Sequence, residues 1–123
     1  MAAQARRADH DGGPTADVFD QGHLAHYTMH DARLEREIIN LFLMQLPATI
    51  DAIAEARSQA EWKLATHTLK GSAASIGARR LQSIAADLEH LPGFADPALR
   101  GLRVQSLRAA EAEFRGVIRH IYP

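Results

Sequence analysis

The stretch HTLKGSAASIGA, residues 67 to 78, contains three residues whose types and spacing could do chemistry together. His67, Lys70 and Gly71 stand at i, i+3 and i+4, so in a helix they share one surface. Neutral imidazole is a good nucleophile near pH 7, because its unperturbed pKa is about 6.5. An ammonium one turn away can pair with phosphoryl oxygens. Glycine costs a helix roughly 1 kcal/mol relative to alanine, which indicates that empty space beside the ring is needed.

These residues favour transfer of a phosphoryl group onto the histidine rather than hydrolysis. Lys70 would stabilise the transferred charge, with Lys63 at i−4 as a weaker second cation. The sequence contains no GxxxxGK[ST] phosphate loop, and 123 residues are too few to include a kinase domain. We therefore expect the phosphoryl group to come from another protein and to leave to another protein. No cofactor of the chain's own is expected.

The helix that carries the histidine must turn it toward solvent. At about 100° per residue, five side chains fall within a sector of roughly 80° that is predicted to be the core face; they are Trp62, Thr66, Leu69, Ala73 and Ile76. His67 lies on the opposite side, between small residues and two lysines. A partner could reach such a ring easily. Spacing alone supports equally well the alternative that His67 is an ordinary solvent-exposed histidine and that Gly71 has no functional role.

Helix boundaries can be read on either side of this helix. Ser58 with Glu61 forms a Ser-x-x-Glu cap before it, and Gly77 is placed to end it in a left-handed turn. Asp96 followed by Pro97 begins the last helix. A short helix is expected over about 20–27.

A long helix is expected from about 31 to 57, and its start resembles a capping box formed by Thr28 and Asp31. Pro47 should kink or break this helix. Its apolar stripe is predicted as Leu34, Ile38, Leu41, Met44, Ile50 and Ile53, and that of the last helix as Leu99, Leu102, Ser106, Ala110, Phe114, Val117 and Ile121. The prediction is an all-α fold, an antiparallel four-helix bundle with a short additional N-terminal helix.

Composition places the chain among soluble single-domain proteins. Apolar residues make up 46% of it, and 14 Lys and Arg balance 15 Asp and Glu, which gives no sign of nucleic acid or an anionic membrane as partner. There is no cysteine, so a disulfide framework and a thiolate metal site are excluded. Residues 1–18 are predicted as a disordered tail or linker, and residues 19–121 as the folded domain.

A second, weaker constellation lies near the start of the domain. His23, His26 and His30 stand at i, i+3 and i+7 and could line one helical face as a transition-metal site. No Glu-x-x-His or His-Glu-x-x-His sequence accompanies them. Polar surface is therefore the preferred interpretation, with no metal site expected and a metal-binding bundle kept as a third possibility.

The segment HTLKGSAASIGARRL, residues 67 to 81, resembles the signature of histidine-containing phosphotransfer (HPt) domains of two-component phosphorelays. The similarity covers about residues 19–121, with Gly77 ten residues after His67. It implies that His67 accepts the phosphoryl group, Lys70 stabilises charge and Gly71 gives access. It also implies that Glu89 accepts the Nδ1–H of the ring, which would leave Nε2 as the attacking atom.

The resemblance implies docking to response-regulator receiver domains, which supply the phospho-aspartate and bind the Mg²⁺ needed for transfer. Apolar residues around the histidine would form the docking surface, with Leu64 and Ala74 contributed by its own helix. The preceding helix carries more apolar residues than one stripe needs, namely Ile39, Phe42, Leu43 and Leu46. Leu43 and Leu46 are taken as docking candidates, and the alternative is that all four pack against two neighbouring helices.

The sequence thus predicts a phosphorelay intermediate in which His67 receives a phosphoryl group from one receiver aspartate and passes it to another. The alternative is a non-catalytic helical module that binds a receiver or histidine kinase as a regulator. A monomeric cytoplasmic protein is expected, either free-standing or as the cytoplasmic end of a membrane-bound sensor kinase.

Overall fold

The computed structural model describes residues 13–91, 94 and 96–123, and these residues form helices and connecting turns. In chain order the helices are α1 (Gly13–Val18), α2 (Gln21–Tyr27), α3 (Ala32–Ala54), α4 (Gln59–Ile76), α5 (Arg79–His90) and α6 (Pro97–Ile121). No strand occurs within this part of the chain. The predicted all-α fold is confirmed.

The four longer helices pack around one apolar core. Helix α4 packs against α3 and α5, and α6 packs against the same two helices. The largest fully buried side chains come from each of the helices α2 to α6 and from the segment before α2; they include Trp62, Phe19, Phe114, Leu24, Ile39, Leu46, Leu69 and Leu81. The Phe114 ring packs edge-on against Phe19 and against Phe42, with centroid distances of 5.8 and 5.5 Å.

The chain before α2 differs from the predicted tail of residues 1–18. Residues 13–18 form α1, and Val18 and Phe19 are buried in the core. The prediction for residues 1–12 lies outside the described residues. Two buried apolar side chains at the end of α1 explain the difference, because they fix the chain against the remaining helices.

Side chains cap most of the helix starts. The Ser58 hydroxyl accepts from the Glu61 N–H at 3.1 Å, and the Asp96 carboxylate accepts from the N–H groups of Ala98 and Leu99. Both predicted caps are confirmed. The pairing of Thr28 with Asp31 was wrong: Asp31 alone caps α3, whereas the Thr28 hydroxyl donates back to the Leu24 carbonyl and closes α2.

Helix α3 buries a different face from the one predicted. Its buried residues are Glu35, Ile39, Phe42, Leu46, Ile50 and Ile53, whereas Leu34, Leu41 and Met44 are exposed. The predicted stripe is therefore displaced by about one residue over the first half of the helix. In the last helix the predicted Ala110 and Phe114 are buried, whereas Leu107 and Ile118 are buried next to the predicted Ser106 and Val117, and Leu102 is exposed. In α3 the cause is that apolar residues occur on nearly all sides, so periodicity alone could not fix the buried face.

Pro47 does not break α3, which continues from Ala32 to Ala54. A proline has no N–H to donate to the carbonyl four residues earlier, which here belongs to Leu43. The Arg115 guanidinium of α6 donates to that Leu43 carbonyl at 3.0 Å instead. A neighbouring helix thus replaces the hydrogen bond that the proline removes.

Helix α3 is also long and apolar enough to cross a membrane by length and composition alone. It was the one such helix found among the described residues. Core helices of soluble proteins pass the same test, and α3 packs against both α4 and α6.

The turn between α4 and α5 requires glycine at position 77. Gly77 has φ 87°, in the left-handed region, and ends α4 as predicted. A Cβ at this position would lie 2.7 Å from the Asp20 carbonyl oxygen. The Asp20 N–H also donates to the Gly77 carbonyl at 2.8 Å. The turn therefore joins α4 and α5 to the chain just before α2.

Replacing Gly77 with Ala should lower the free energy of unfolding by about 2 kcal/mol or more, because left-handed strain and a backbone clash add. Urea denaturation measures this change. Gly101→Ala is the matched control: an added Cβ there meets nothing within 4 Å, so helix propensity should raise stability by up to about 1 kcal/mol. Equal effects of the two substitutions would contradict the role given to the turn.

Candidate functional site

His67 projects from the solvent side of α4, as predicted. Its side chain is 61% exposed, whereas the opposite side of the helix is buried at Trp62, Thr66, Leu69, Ala73 and Ile76. The Thr66 hydroxyl donates to the Trp62 carbonyl within the helix, which allows a polar residue to be buried. The predicted core face of α4 is confirmed at all five positions.

The neighbouring helix α5 is held against α4 by a buried hydrogen bond. The Trp62 indole N–H donates to the Leu88 carbonyl at 3.0 Å. Glu89 follows Leu88 directly, so this bond sets where its carboxylate lies relative to the histidine helix. The predicted approach of Glu89 to His67 is observed as a result.

The Glu89 carboxylate lies between the imidazole and an ammonium. Its Oε2 is 2.9 Å from His67 Nδ1, and its Oε1 is 2.6 Å from Lys70 Nζ. The Glu89 side chain is 8% exposed and that of Lys70 30% exposed. The three residues His67, Lys70 and Glu89 are called the charge triad below.

Lys70 lowers the pKa of the Glu89 carboxyl from its ordinary value, chiefly through its hydrogen bond, and burial opposes this effect. The hydrogen bond from His67 lowers the pKa further. The carboxylate is therefore ionised at neutral pH and can only accept. His67 Nδ1 must then carry the hydrogen, which leaves the Nε2 lone pair free.

Gly71 leaves open space one turn beyond His67. A Cβ added at Gly71 would meet nothing within 4 Å. The glycine is therefore not required by packing inside this protein, and alanine would fit. Lys63 lines an open cleft on the other side with Gln59, Glu89, His90 and Leu91, and among the described residues it forms no ion pair.

An apolar groove runs between α3 and α4 beside the histidine. Its lining includes Met44, Ala48, Ala52, Leu64, Ala65 and Thr68. Leu64 is 68% exposed and Met44 is 76% exposed. A second depression, lined by Tyr27, Ile38, Gly71 and Ala74 among others, follows further along α4. Exposed apolar surface of this kind is typical of a binding site for another protein.

The docking candidates from the sequence divide into two groups. Leu64 lies in the groove, and Ala74 lines the second depression. Leu46, at 1% exposure, belongs to the core, and Leu43 is half-buried against it, which contradicts their predicted place on an exposed surface. Met44 was assigned to the core and is exposed instead. The small residues Ala48 and Ala52 were the available signal for this groove, because small side chains leave a helix surface low.

The three histidines near the start of the domain do not lie on one helix. His23 and His26 lie in α2, whereas His30 follows it with φ 63°. His23 Nε2 lies 3.2 Å from the Ser75 carbonyl oxygen. No group of three or more metal-ligating side chains is assembled among the described residues. The metal hypothesis lacks the geometry on which it was based.

A family model for the Hpt domain matches residues 37–120, which span most of α3 and all of α4 and α5, and reach almost to the end of α6. The chain belongs to the Hpt domain family. Members of this family carry out phosphotransfer in two-component signalling and interact with receiver domains and kinases. No match was found among curated proteins or among solved structures.

The geometry of this Hpt domain predicts the tautomer of His67. In the neutral ring, Nδ1 should carry the hydrogen and Nε2 the lone pair, because ionised Glu89 only accepts. Two-dimensional ¹⁵N NMR of the imidazole nitrogens above pH 8 measures this directly. Glu89→Ala should remove the preference, whereas Glu89→Gln should keep it, since the amide oxygen still accepts. A ring protonated at Nε2 in the unaltered chain would contradict the assignment.

Proposed function

We propose that this Hpt domain is a phosphorelay intermediate in which His67 accepts a phosphoryl group from a receiver aspartate and transfers it to the aspartate of another receiver. The observation that carries the proposal is the contact of His67 Nδ1 with the largely buried Glu89 carboxylate, at 2.9 Å. It orients an imidazole whose side chain is 61% exposed and leaves Nε2 as the nitrogen that attacks. Family membership supports the same chemistry.

The proposed step is a direct displacement at phosphorus. The Nε2 lone pair forms the N–P bond as the O–P bond of the aspartyl phosphate breaks, and the aspartate leaves as a carboxylate. The hydrogen on Nδ1 stays in place, so the ring becomes cationic. Glu89 then faces a positive ring instead of a neutral one, which stabilises the intermediate. The reverse step returns the ring to its neutral state without moving a proton.

The remaining site residues are assigned supporting roles. Lys70 is the cation for the phosphoryl oxygens, with Lys63 as a more distant one. Gly71 gives the donor access to Nε2, which the absence of any atom near an added Cβ supports. The Mg²⁺ that transfer needs is expected in the receiver, and the Hpt domain contributes no cofactor.

The receiver is proposed to dock on the groove between α3 and α4, with Leu64 and Met44 as its apolar contacts. Ala74 and the second depression extend this surface past Gly71. Leu64 in the groove and Gly71 in the second depression each lie about one turn from His67 along α4, so one partner could contact both depressions while reaching the ring. The exposure of these apolar side chains supports the proposal.

We also propose that α3 to α6 form an antiparallel four-helix bundle, which their mutual packing supports. A monomeric domain in the cytoplasm fits the family's typical location. Whether the domain stands alone or ends a larger sensor kinase does not alter the proposed chemistry.

The proposal is tested by mixing the chain with purified receiver domains that have been phosphorylated with acetyl phosphate in the presence of Mg²⁺. One phosphoryl group per chain should appear, stable in alkali and labile in acid, and His67→Gln should abolish it. Direct phosphorylation with phosphoramidate, which needs no receiver, should label the same residue. Receiver binding without label from either donor would overturn the proposal and favour the non-catalytic docking module.

Gly71→Ala should hinder the donor's access to His67 without destabilising the fold. The substitution should raise the free energy of unfolding by about 0.5–1 kcal/mol, because alanine favours helix and meets no neighbour. Transfer from the receiver should nevertheless slow by about tenfold or more, because the methyl group stands in the donor's path. Rapid-quench kinetics measure the rate, and Gly101→Ala on α6 is the control for propensity. An unchanged transfer rate in Gly71→Ala would show that the glycine has no role in access.

Leu64→Ala should affect receiver binding more than stability, whereas Leu46→Ala should lower stability. Leu64→Ala should change stability by less than about 0.5 kcal/mol and weaken receiver binding by about tenfold. Leu46→Ala should lower the free energy of unfolding by about 2–5 kcal/mol, because it empties part of the core. Urea denaturation and calorimetric titration with the receiver measure the two effects. Full receiver affinity in Leu64→Ala would remove the groove from the docking surface.

A further inference from the structure

Lys70 is not free to meet a phosphoryl group in this structure. Its ammonium lies 2.6 Å from Glu89 Oε1, and its side chain is 30% exposed. The same carboxylate accepts the hydrogen of His67 Nδ1 through Oε2. One negative group thus binds both the cation that should stabilise the transferred charge and the ring that receives it.

The charges of the triad change when the phosphoryl group arrives. In the form that reacts, Nε2 has its lone pair and the ring is neutral, while Glu89 is balanced by Lys70. After Nε2 has formed the N–P bond and the aspartate has left with the O–P electron pair, the ring retains the Nδ1 hydrogen and is positively charged. Glu89 then has a cation in contact through Oε2, whereas a new anionic group lies on the far side of the ring.

We propose that the triad exchanges cations on phosphorylation: the ring takes over the charge balance of Glu89, and Lys70 moves from Glu89 to the phosphoryl oxygens. Lys70 is released by the reaction itself rather than by the partner. The carboxylate is never left without a cation, which matters because its side chain is 8% exposed and an unpaired charge there would be costly.

The exchange gives Glu89 two opposing effects on the transfer equilibrium. It favours the phosphorylated state by stabilising the cationic ring, and it disfavours that state by holding Lys70 before transfer. Glu89 therefore acts as a positioning residue that keeps the phosphohistidine from becoming too stable to pass its phosphoryl group on. This inference rests on the proposed function, because it concerns regulation at the same site.

The resting half of the exchange can be measured without any phosphoryl donor. The Glu89 carboxyl ¹³C signal is titrated in the unphosphorylated chain, in Lys70→Met and in Lys63→Met. Lys70→Met should raise the Glu89 pKa, since the Lys70 ammonium 2.6 Å from Oε1 stabilises the carboxylate and lowers its pKa. Lys63→Met, which removes the same charge from the neighbouring turn, should leave it near the unaltered value. No change in Lys70→Met would overturn the inference and leave the proposed function intact.

The second half of the exchange, the movement of Lys70 on phosphorylation, is tested through the equilibrium of phosphoryl transfer between the chain and a phosphorylated receiver. This equilibrium is measured for the unaltered chain, Lys70→Met, Glu89→Gln and the double variant. Glu89→Gln keeps an acceptor for Nδ1–H and removes the charge. Glu89→Gln lowers the phosphorylated fraction by some factor, which is measured once with Lys70 present and once in the Lys70→Met background. If Lys70 leaves Glu89 on phosphorylation, this factor should be about three- to tenfold larger in the Lys70→Met background.

The two substitutions would combine independently if Lys70 stayed with Glu89 in both states, and that result would overturn the exchange. A lack of label in the unaltered chain with receiver and with phosphoramidate would instead be a failure of the proposed function. Unfolding by urea is measured for each variant, so that a fraction lost to instability is counted separately.

Discussion

The hydrogen bond from the Trp62 indole to the Leu88 carbonyl fixes where α5 lies along α4, and the candidate site depends on that register. Only two residues, Gly77 and Ala78, separate the helices. The left-handed conformation of Gly77 turns the chain back at once. A slip of one residue in α5 would carry Glu89 about 100° around its helix and away from the imidazole. The reactive geometry is therefore set in the core, beneath a histidine that is itself exposed.

Exposure decreases across the charge triad from the ring to the ammonium and then to the carboxylate. The group that reacts is the most accessible, and the group that orients it is the least. A largely buried carboxylate has few alternative positions, so it constrains the ring more strongly than a surface glutamate would. The nucleophile thus combines access for a large partner with a defined orientation, a combination that one exposed residue could not provide by itself.

The sequence predicted the core face of the histidine helix well because its largest apolar side chains, Leu64 excepted, fall in one narrow sector. All five predicted core positions of α4 are buried, and the caps at Ser58 and the turn at Gly77 follow from local chemistry. Helix α3 was assigned the wrong face in its first half because apolar residues surround it. Its orientation is fixed by distant contacts, such as the Tyr122 hydroxyl that donates to buried Glu35 at 2.8 Å. The ion pair of Lys70 with Glu89 depends on the register of two helices, which no local pattern encodes.

Pro47 lies in α3 between Met44 and Ala48, two residues that line the groove beside the histidine. The missing hydrogen bond at this point would normally be a place where a helix flexes. Here the Arg115 guanidinium fills the gap from α6, the neighbour on the other flank of α3, and also contacts Glu111 of its own helix. The hydrogen bond missing within α3 is thus replaced by one that links α3 to α6. The wall of the groove is stiffened from behind, by a residue that no partner in the groove would touch.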